Sequence, residues 1–307
     1  MKEKFEIFIA KHHLSCLKKE VSLKFFTTIK CGGEADYLAE PDSYGELLKI
    51  FKFICENNIP YKILGNGSNI LVSDEGFQGI VISLKNFPYS IEIHDKRLTV
   101  AAQIEGAHLQ KKCILEGLSG LEFLSGIPGT VGGIIAMNAG AFGHEVNSVL
   151  GSVKAVTHEG KIVSIQAENI DFSYRKTKLP FENYIITEGI FNVHKKDMHE
   201  VKELCDSYIS QRKSTNLRHA LTFGSTFKNG PDYYAGELIE KCGLKGYAIG
   251  DAQISKTHAN FIINNGNASS KDVYLLTEKM KDEVKKKFGI NLELEIKLWG
   301  DFSYARK

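Results

Sequence analysis

The chain has 307 residues, 43% hydrophobic and 25% charged, which suits a soluble globular protein with a sizeable core divided into two or three domains. Its 39 basic and 37 acidic residues leave a net charge of +2 and are spread along the chain. The densest basic run, Lys285-Lys286-Lys287, closes a helical pattern where cations suit the dipole, so nothing argues for nucleic acid.

In chain order, Phe5, Phe8, Ile9, Cys16 and Leu17 recur at roughly helical spacing. The apolar run within MKEKFEIFIAKHHL is too short, and too interrupted by Glu6, for a signal peptide. Six cysteines lie far apart without a CxxC pair, which points to free thiols in a reducing compartment rather than disulfides or a metal site, and the protein is read as cytoplasmic. Asp42-Ser43 can cap a helix that turns Leu47, Leu48, Phe51 and Ile54 inward. A strand, Tyr61 to Leu64, runs into GNGSN and ILVSD, and a turn at Glu75-Gly76 leads to a further apolar run, Ile80 to Leu84.

Alternation at Ile91/Ile93 and Leu98/Val100 predicts a hairpin, and a helix follows near His108 to Leu115. SVKAVTHEGKIVSI predicts a second hairpin about Glu159-Gly160, with NYIITEGIFNV a further strand. Residues from about 20 to 195 therefore read as one α+β unit of two lobes. From Asp197 the period becomes helical, ending near Arg212. Beyond it come FGSTFKN, a short helix at Ala235 to Cys242, strands at Ala248 to Ile254 and Ala259 to Asn264, a helix from Lys271 to Phe288, and a last strand, Leu292 to Leu298. That is a second domain of about 100 residues.

The stretch from Phe123 to Gly143 carries no charge and is the one candidate for a membrane span. Pro128, Asn138 and six glycines within it argue against a bilayer helix, which needs about 20 predominantly apolar residues. Glycine admits both unusual dihedrals and close backbone approach. GNGSN and SGIPGTVGG place several glycines beside small hydroxyl and amide side chains with few cations nearby, a composition suited to a pyrophosphate held by backbone N–H groups. Tight turns and a close helix crossing would explain either loop alone; two such loops in one domain favour a dinucleotide. The chain has neither GxGxxG nor GxxxxGK[ST], so such a dinucleotide would need a fold other than the Rossmann or P-loop type.

Seven ordered segments resemble one family: TTIKCGGEADYLAEP, GNGSNILVSDEGFQGIVI, SGIPGTVGGIIAMNAGAFG, DFSYRKT, GSTFKN, AGELIEKCGLKGYAIGDAQISKTHANFIIN and NLELEIKLWG. Together, from about residue 22 to 300, they are similar to the UDP-N-acetylenolpyruvoylglucosamine reductases, the MurB family, in its shorter type II form. The resemblance implies an N-terminal helix (1–20) and an FAD-binding domain of the vanillyl-alcohol-oxidase, or PCMH, type (21–195, lobes about 21–85 and 86–195). A C-terminal substrate domain would follow (196–307). It implies that Gly65, Asn66, Gly67, Ser68 and Asn69, with Ser125, Gly126, Ile127, Pro128, Gly129, Gly132 and Gly133, hold the FAD phosphates, while Asn138, Ala139 and Gly140 line the flavin.

The implied reaction uses NADPH to reduce FAD and then UDP-N-acetylglucosamine enolpyruvate, in a cytoplasmic monomer without metal or membrane. Ser225 in GSTFKN matches the family's proton donor, although by itself a serine after Gly224 reads rather as a turn residue, and nearby His219 offers no triad. Arg175 offers a planar, permanently charged fork for a carboxylate, and could otherwise be a surface arginine. Periodicity does not separate Glu293 from Glu295; the family pattern selects Glu295. By the same resemblance Tyr174, Arg212, Lys228, Asn229 and His258 contact the UDP-sugar, with helix capping an alternative for Arg212 and a structural polar role for His258. The chain departs from the family in lacking prolines before Ser225 and in having Asp251 where a second glycine is common. Two other functions stay open: an alcohol-oxidising flavoprotein of the same fold, and a flavin-free UDP-sugar binder.

Overall fold

A computed structural model of the chain describes residues 2–12, 14–213, 217 and 220–306. Contacts group them into two units: residues 1–18, 37–66 and 79–214 form one, and 19–36, 67–78 and 215–307 the other. The contiguous blocks read from the sequence, divided at 195, differ from this grouping. Segments 19–36 and 67–78 share contacts with the C-terminal third, and the helix near Arg212 belongs to the first unit. Each unit has its own apolar core.

In the first unit, α1 (Lys2–His12) buries Phe5 and stacks Phe8 on Phe53 of α2 (Tyr44–Glu56) at 4.0 Å between ring centroids. Helix α2 begins where the Ser43 hydroxyl accepts the amide of Glu46 at 3.4 Å, and Leu47, Ile50, Phe51 and Ile54 form its buried face, the i, i+3, i+4, i+7 stripe of an amphipathic helix. Tyr61–Leu64 pairs in parallel with the end of strand Phe77–Ser83, Tyr61 opposite Ile80. The main sheet has five antiparallel strands in the order Ile162–Gln166, Leu150–Thr157, Tyr184–Asn192, Arg97–Ala101, Ile91–His94. Both predicted hairpins lie in it. Helix α3 (Gly106–Leu115), the short α4 (Val131–Ala136) and α5 (Met198–Lys213) complete this unit.

The second unit is built around α6 (Ala235–Lys241) and α7 (Ser270–Phe288). Helix α7 is fixed at both ends: Ser269 and Asp272 form a capping box, and Gly289 closes it at φ 71°. Its first amides are also capped from a distance, since the Asp74 carboxylate accepts Ser270 N at 2.8 Å and Lys271 N at 2.9 Å. Ile70–Val72 pairs in parallel with Lys297–Trp299. Three predicted strands are shorter than the sequence implied, Ala259 to Asn264 being regular only over Ile262–Asn264. Ala248 to Ile254 is a hairpin, Ala248–Ile249 against Ala252–Ile254, because Gly250 turns the chain at φ 54°. Only Lys297–Trp299 of the last strand is regular; the preceding residues bond irregularly to 226–228. Asp251 is not among the positive-φ residues, so the glycine it replaces in the family pattern is not required for this turn.

Among the described residues no helix is long and apolar enough to cross a membrane, and no group of three or more His, Cys, Asp or Glu is placed to hold a metal ion. All six cysteines are free thiols, with Cys31, Cys113 and Cys205 buried.

Candidate active site

In the first unit the charge-free stretch makes a wall of turns and one short helix. The Thr130 hydroxyl caps α4 by accepting Gly133 N at 3.4 Å. A Cβ on Gly65 would lie 2.6 Å from Thr130 Oγ1, so the start of GNGSN and the SGIPGTVGG turn are in contact and need a glycine there. Among the described residues the backbone amides of Gly126, Gly129 and Thr130 have no partner, and Gly129 and Thr130 are buried. Buried N–H groups left unpaired are costly and are ordinarily satisfied by a ligand or water; adjacent amides on a glycine turn fit the phosphates of a dinucleotide.

Two of the side chains expected at the cofactor turn the other way. The buried Ser125 hydroxyl donates to Gln110 Oε1 at 3.3 Å. Asn138, fully buried, spends its carboxamide on Glu145, Ser173 and the amide of Asn147. Both side chains thus have their hydrogens engaged within the protein. Ile127, Gly132, Gly133 and Gly140 are half-exposed along the same wall, Pro128 is exposed and Ala139 is buried.

Tyr174 and Arg175 form the two-residue turn between strands Asp171–Ser173 and Lys176–Lys178. The Arg175 guanidinium lies 4.7 Å from the Tyr174 ring centroid and donates to Gly140 O at 3.2 Å. Arg212, near the end of α5, lies with its guanidinium 5.3 Å from the Phe142 ring, which stacks on Tyr208 at 4.3 Å. Burial, and then the charge of Arg175, push the Arg212 pKa down. A buried guanidinium that feels a second positive charge is a place for an anion.

In the second unit Ser225, half-buried, forms an isolated bridge with Phe261. The neighbouring Thr226 carbonyl accepts Glu295 N at 2.9 Å, so Ser225 and Glu295 lie on adjoining extended segments. Asn260 braces this arrangement: its carboxamide accepts Phe227 N at 3.0 Å and donates to Phe227 O at 2.8 Å, and its carbonyl accepts Thr226 N at 2.8 Å. His258 Nδ1 accepts Asn260 N at 3.3 Å, and burial pushes the His258 pKa down. Lys228 forms a short ion pair with exposed Glu293. Asn229 Oδ1 accepts Ala235 N at 3.0 Å, which caps α6. Residues 214–216, 218 and 219, including His219 and part of the segment without prolines, lie outside the described residues.

The sequence reading missed Glu145, Asn260 and the Phe142–Tyr208 stack. Glu145 had a legible signal, being the first acidic residue after the charge-free stretch. Asn260 and Tyr208 had none, because their partners are distant in sequence.

A glycine-walled amide cradle without a Rossmann fingerprint, within residues 35–166 that match the model of an FAD binding domain, defines a flavoprotein oxidoreductase. Residues 216–299 match the C-terminal domain of UDP-N-acetylenolpyruvoylglucosamine reductase. The chain is 38% identical to the UDP-N-acetylenolpyruvoylglucosamine reductase of Clostridioides difficile (strain 630), covering 93% of this chain and 94% of that one. It is 39% identical to that of Oceanobacillus iheyensis (strain DSM 14371 / CIP 107618 / JCM 11309 / KCTC 3954 / HTE831), covering 90% and 89%. The crystal structure of the Thermus caldophilus reductase superposes with a TM-score of 0.80 at 35% identity, covering 92% of this chain and all of that one. The chain therefore belongs to the UDP-N-acetylenolpyruvoylglucosamine reductase family, the MurB flavoenzymes of peptidoglycan synthesis, with FAD as cofactor and NADPH as reductant.

Proposed function

We propose that the chain reduces UDP-N-acetylglucosamine enolpyruvate to UDP-N-acetylmuramate, with Ser225, Arg175 and Glu295 as its catalytic residues. The observation that carries the assignment is the hydrogen bond from Glu295 N to the carbonyl of Thr226, which keeps Ser225 and Glu295 on adjoining backbone. When bound, FAD supplies the hydride, taken from NADPH and passed from N5 to the β-carbon of the enolpyruvyl ether.

As that carbon gains its hydrogen, the double-bond electron pair moves to the α-carbon and into the carboxylate as an enolate. Arg175 holds the carboxylate through its planar fork and spreads this charge. Glu295 supplies the acidic group of the set. Ser225 donates its hydroxyl proton to the α-carbon; a neutral hydroxyl suffices because a carbon-centred anion is a far stronger base than a hydrated carboxylate. The loops at 65–69 and 125–133 hold the cofactor phosphates, with the amides of Gly126, Gly129 and Thr130 as donors, and Asn138, Ala139 and Gly140 bound the flavin.

Tyr174, Arg212, Lys228, Asn229 and His258 contact the sugar nucleotide, with Arg212 on its anionic part. The reading divides the chain into an N-terminal helix, an FAD domain to 195 and a substrate domain from 196, in a cytoplasmic monomer. An anaerobic experiment in two steps tests it: NADPH should bleach the flavin, and UDP-N-acetylglucosamine enolpyruvate should restore its colour while UDP-N-acetylmuramate forms. Bleaching that only oxygen reverses would favour an alcohol-oxidising enzyme, and a protein that stays colourless with FAD supplied would favour a sugar-nucleotide binder.

A further inference from the structure

We propose that Asn138 and Glu145 together position the turn that presents Arg175, so that Asn138 acts as a positioning residue for substrate rather than as a side-chain contact to the cofactor. This rests on the assignment of the substrate carboxylate to Arg175.

Arg175 stands at φ 59°, a conformation an arginine keeps only where its surroundings fix it. Three bonds tie this turn to one short segment. Asn138 Nδ2 donates to Ser173 O at 3.2 Å, Arg175 Nη2 donates to Gly140 O at 3.2 Å, and Thr177 Oγ1 donates to Ile135 O at 2.5 Å. Of the three, the Asn138 bond acts immediately before the turn, on the carbonyl preceding Tyr174.

The orientation of that carboxamide is over-determined. Asn138 is fully buried at φ 39°; its Nδ2 also donates to Glu145 Oε2 at 2.9 Å, and its Oδ1 accepts Asn147 N at 3.0 Å. A flipped amide would set oxygen against the Glu145 carboxylate and the Ser173 carbonyl, and NH2 against the Asn147 N–H. Glu145 thus acts with Ser173 O and Asn147 N to fix which end of the amide faces Ser173. A donor role for the side chain toward the cofactor would need a free N–H, whereas both hydrogens of the amide already meet groups of the protein.

The test compares two ligands on the full-length flavoprotein, read by perturbation of the oxidised flavin spectrum. One is UDP-N-acetylglucosamine enolpyruvate; the other is UDP-N-acetylglucosamine, which lacks the carboxylate. In Asn138→Asp and Glu145→Ala the Kd for the enolpyruvate should rise about tenfold or more relative to that for UDP-N-acetylglucosamine. Glu145→Gln, which keeps an acceptor for Asn138, should match the parent, and adding Arg175→Ala to Glu145→Ala should lower the selectivity no further than Arg175→Ala alone. If Asn138→Asp does not fold, the two Glu145 variants carry the same comparison from a half-buried position. Equal changes in both Kd values, no change in either, or a loss in Glu145→Gln as large as in Glu145→Ala would overturn the positioning role. Absence of any selective effect in Arg175→Ala itself would instead overturn the carboxylate assignment, and this proposal with it.

Discussion

The side-chain amide of Asn69 donates to the carbonyl of Glu295 at 3.2 Å, while the carbonyl of Asn69 accepts the amide of Lys297 at 2.9 Å. The last residue of GNGSN thus grips the Glu295 segment on both sides of Ile296, and the same segment continues into the parallel pair with Ile70–Val72. A loop expected to serve the cofactor also fixes the backbone of a candidate catalytic residue.

Asn69→Ala should therefore cost about 1 kcal/mol of stability, the usual net worth of one such hydrogen bond. It should also slow recolouring of the flavin by substrate more than bleaching by NADPH. Urea unfolding and anaerobic stopped-flow measure the two effects; an equal slowing of both half-reactions would separate Asn69 from Glu295.

Ser225→Ala should leave bleaching by NADPH largely intact and slow reoxidation by the enolpyruvate by roughly a hundredfold or more, the loss typical of a positioned acid. Equal loss in both steps would count against Ser225 as proton donor.

Two glycines at positive φ should respond very differently to alanine. A Cβ on Gly67, at φ 63°, would lie 2.0 Å from Phe26 O, whereas at Gly143, at φ 80°, nothing lies within 4 Å. Gly143→Ala should cost about 1 kcal/mol of backbone strain, and Gly67→Ala several kcal/mol because rigid backbone must also move. Thermal unfolding with FAD content as a second readout distinguishes them.

Thr226 is fully buried, and its hydroxyl has no hydrogen-bond partner among the described residues. Thr226→Val keeps the branched shape and removes a desolvated hydroxyl, so it should leave stability unchanged or raise it by up to about 1 kcal/mol. A large loss in the urea midpoint would mean that the hydroxyl is satisfied in solution.

Burial holds the His258 pKa below its ordinary 6.5, and Nδ1 accepts a backbone amide, which requires the neutral ring. In the unfolded chain this histidine takes a proton near pH 6.5; in the folded one it resists until lower pH. Its contribution is therefore complete above about pH 6.5 and is lost as pH falls through the depressed folded value. His258→Asn should flatten the stability curve below about pH 6.5 relative to the parent, as read from unfolding midpoints across that range.

The parts of the fold legible in the sequence are the locally determined ones. Leu47, Phe51, Ile54 and the Ser43 cap of α2, the two hairpins and the helix α7 all depend on residues a few positions apart, although Ile50 rather than the half-buried Leu48 completes the buried face of α2. The last strand was less legible: Leu292, Leu294, Ile296 and Leu298 alternate well, yet only Lys297–Trp299 is regular, because 293–295 bond across to 226–228 instead. The candidate site was legible as motifs, and Glu295 was separated from Glu293 only by family pattern. The structure gives them different surroundings, Glu293 exposed with Lys228 and Glu295 half-buried with its amide on Thr226.

By itself the sequence determined the composition of a glycine-lined, charge-free wall, the absence of a Rossmann fingerprint and the ordered motifs of a flavoenzyme family. Those are properties of residue type and local spacing. Tertiary structure alone decided that 67–78 joins the C-terminal unit, that Asp74 caps α7, and that Asn138 and Ser125 turn their polar groups into the protein. Strand pairing and capping between residues far apart in sequence arise from backbone hydrogen bonds available to any side chain. The direction of a buried amide is set by partners that only the folded chain brings within reach.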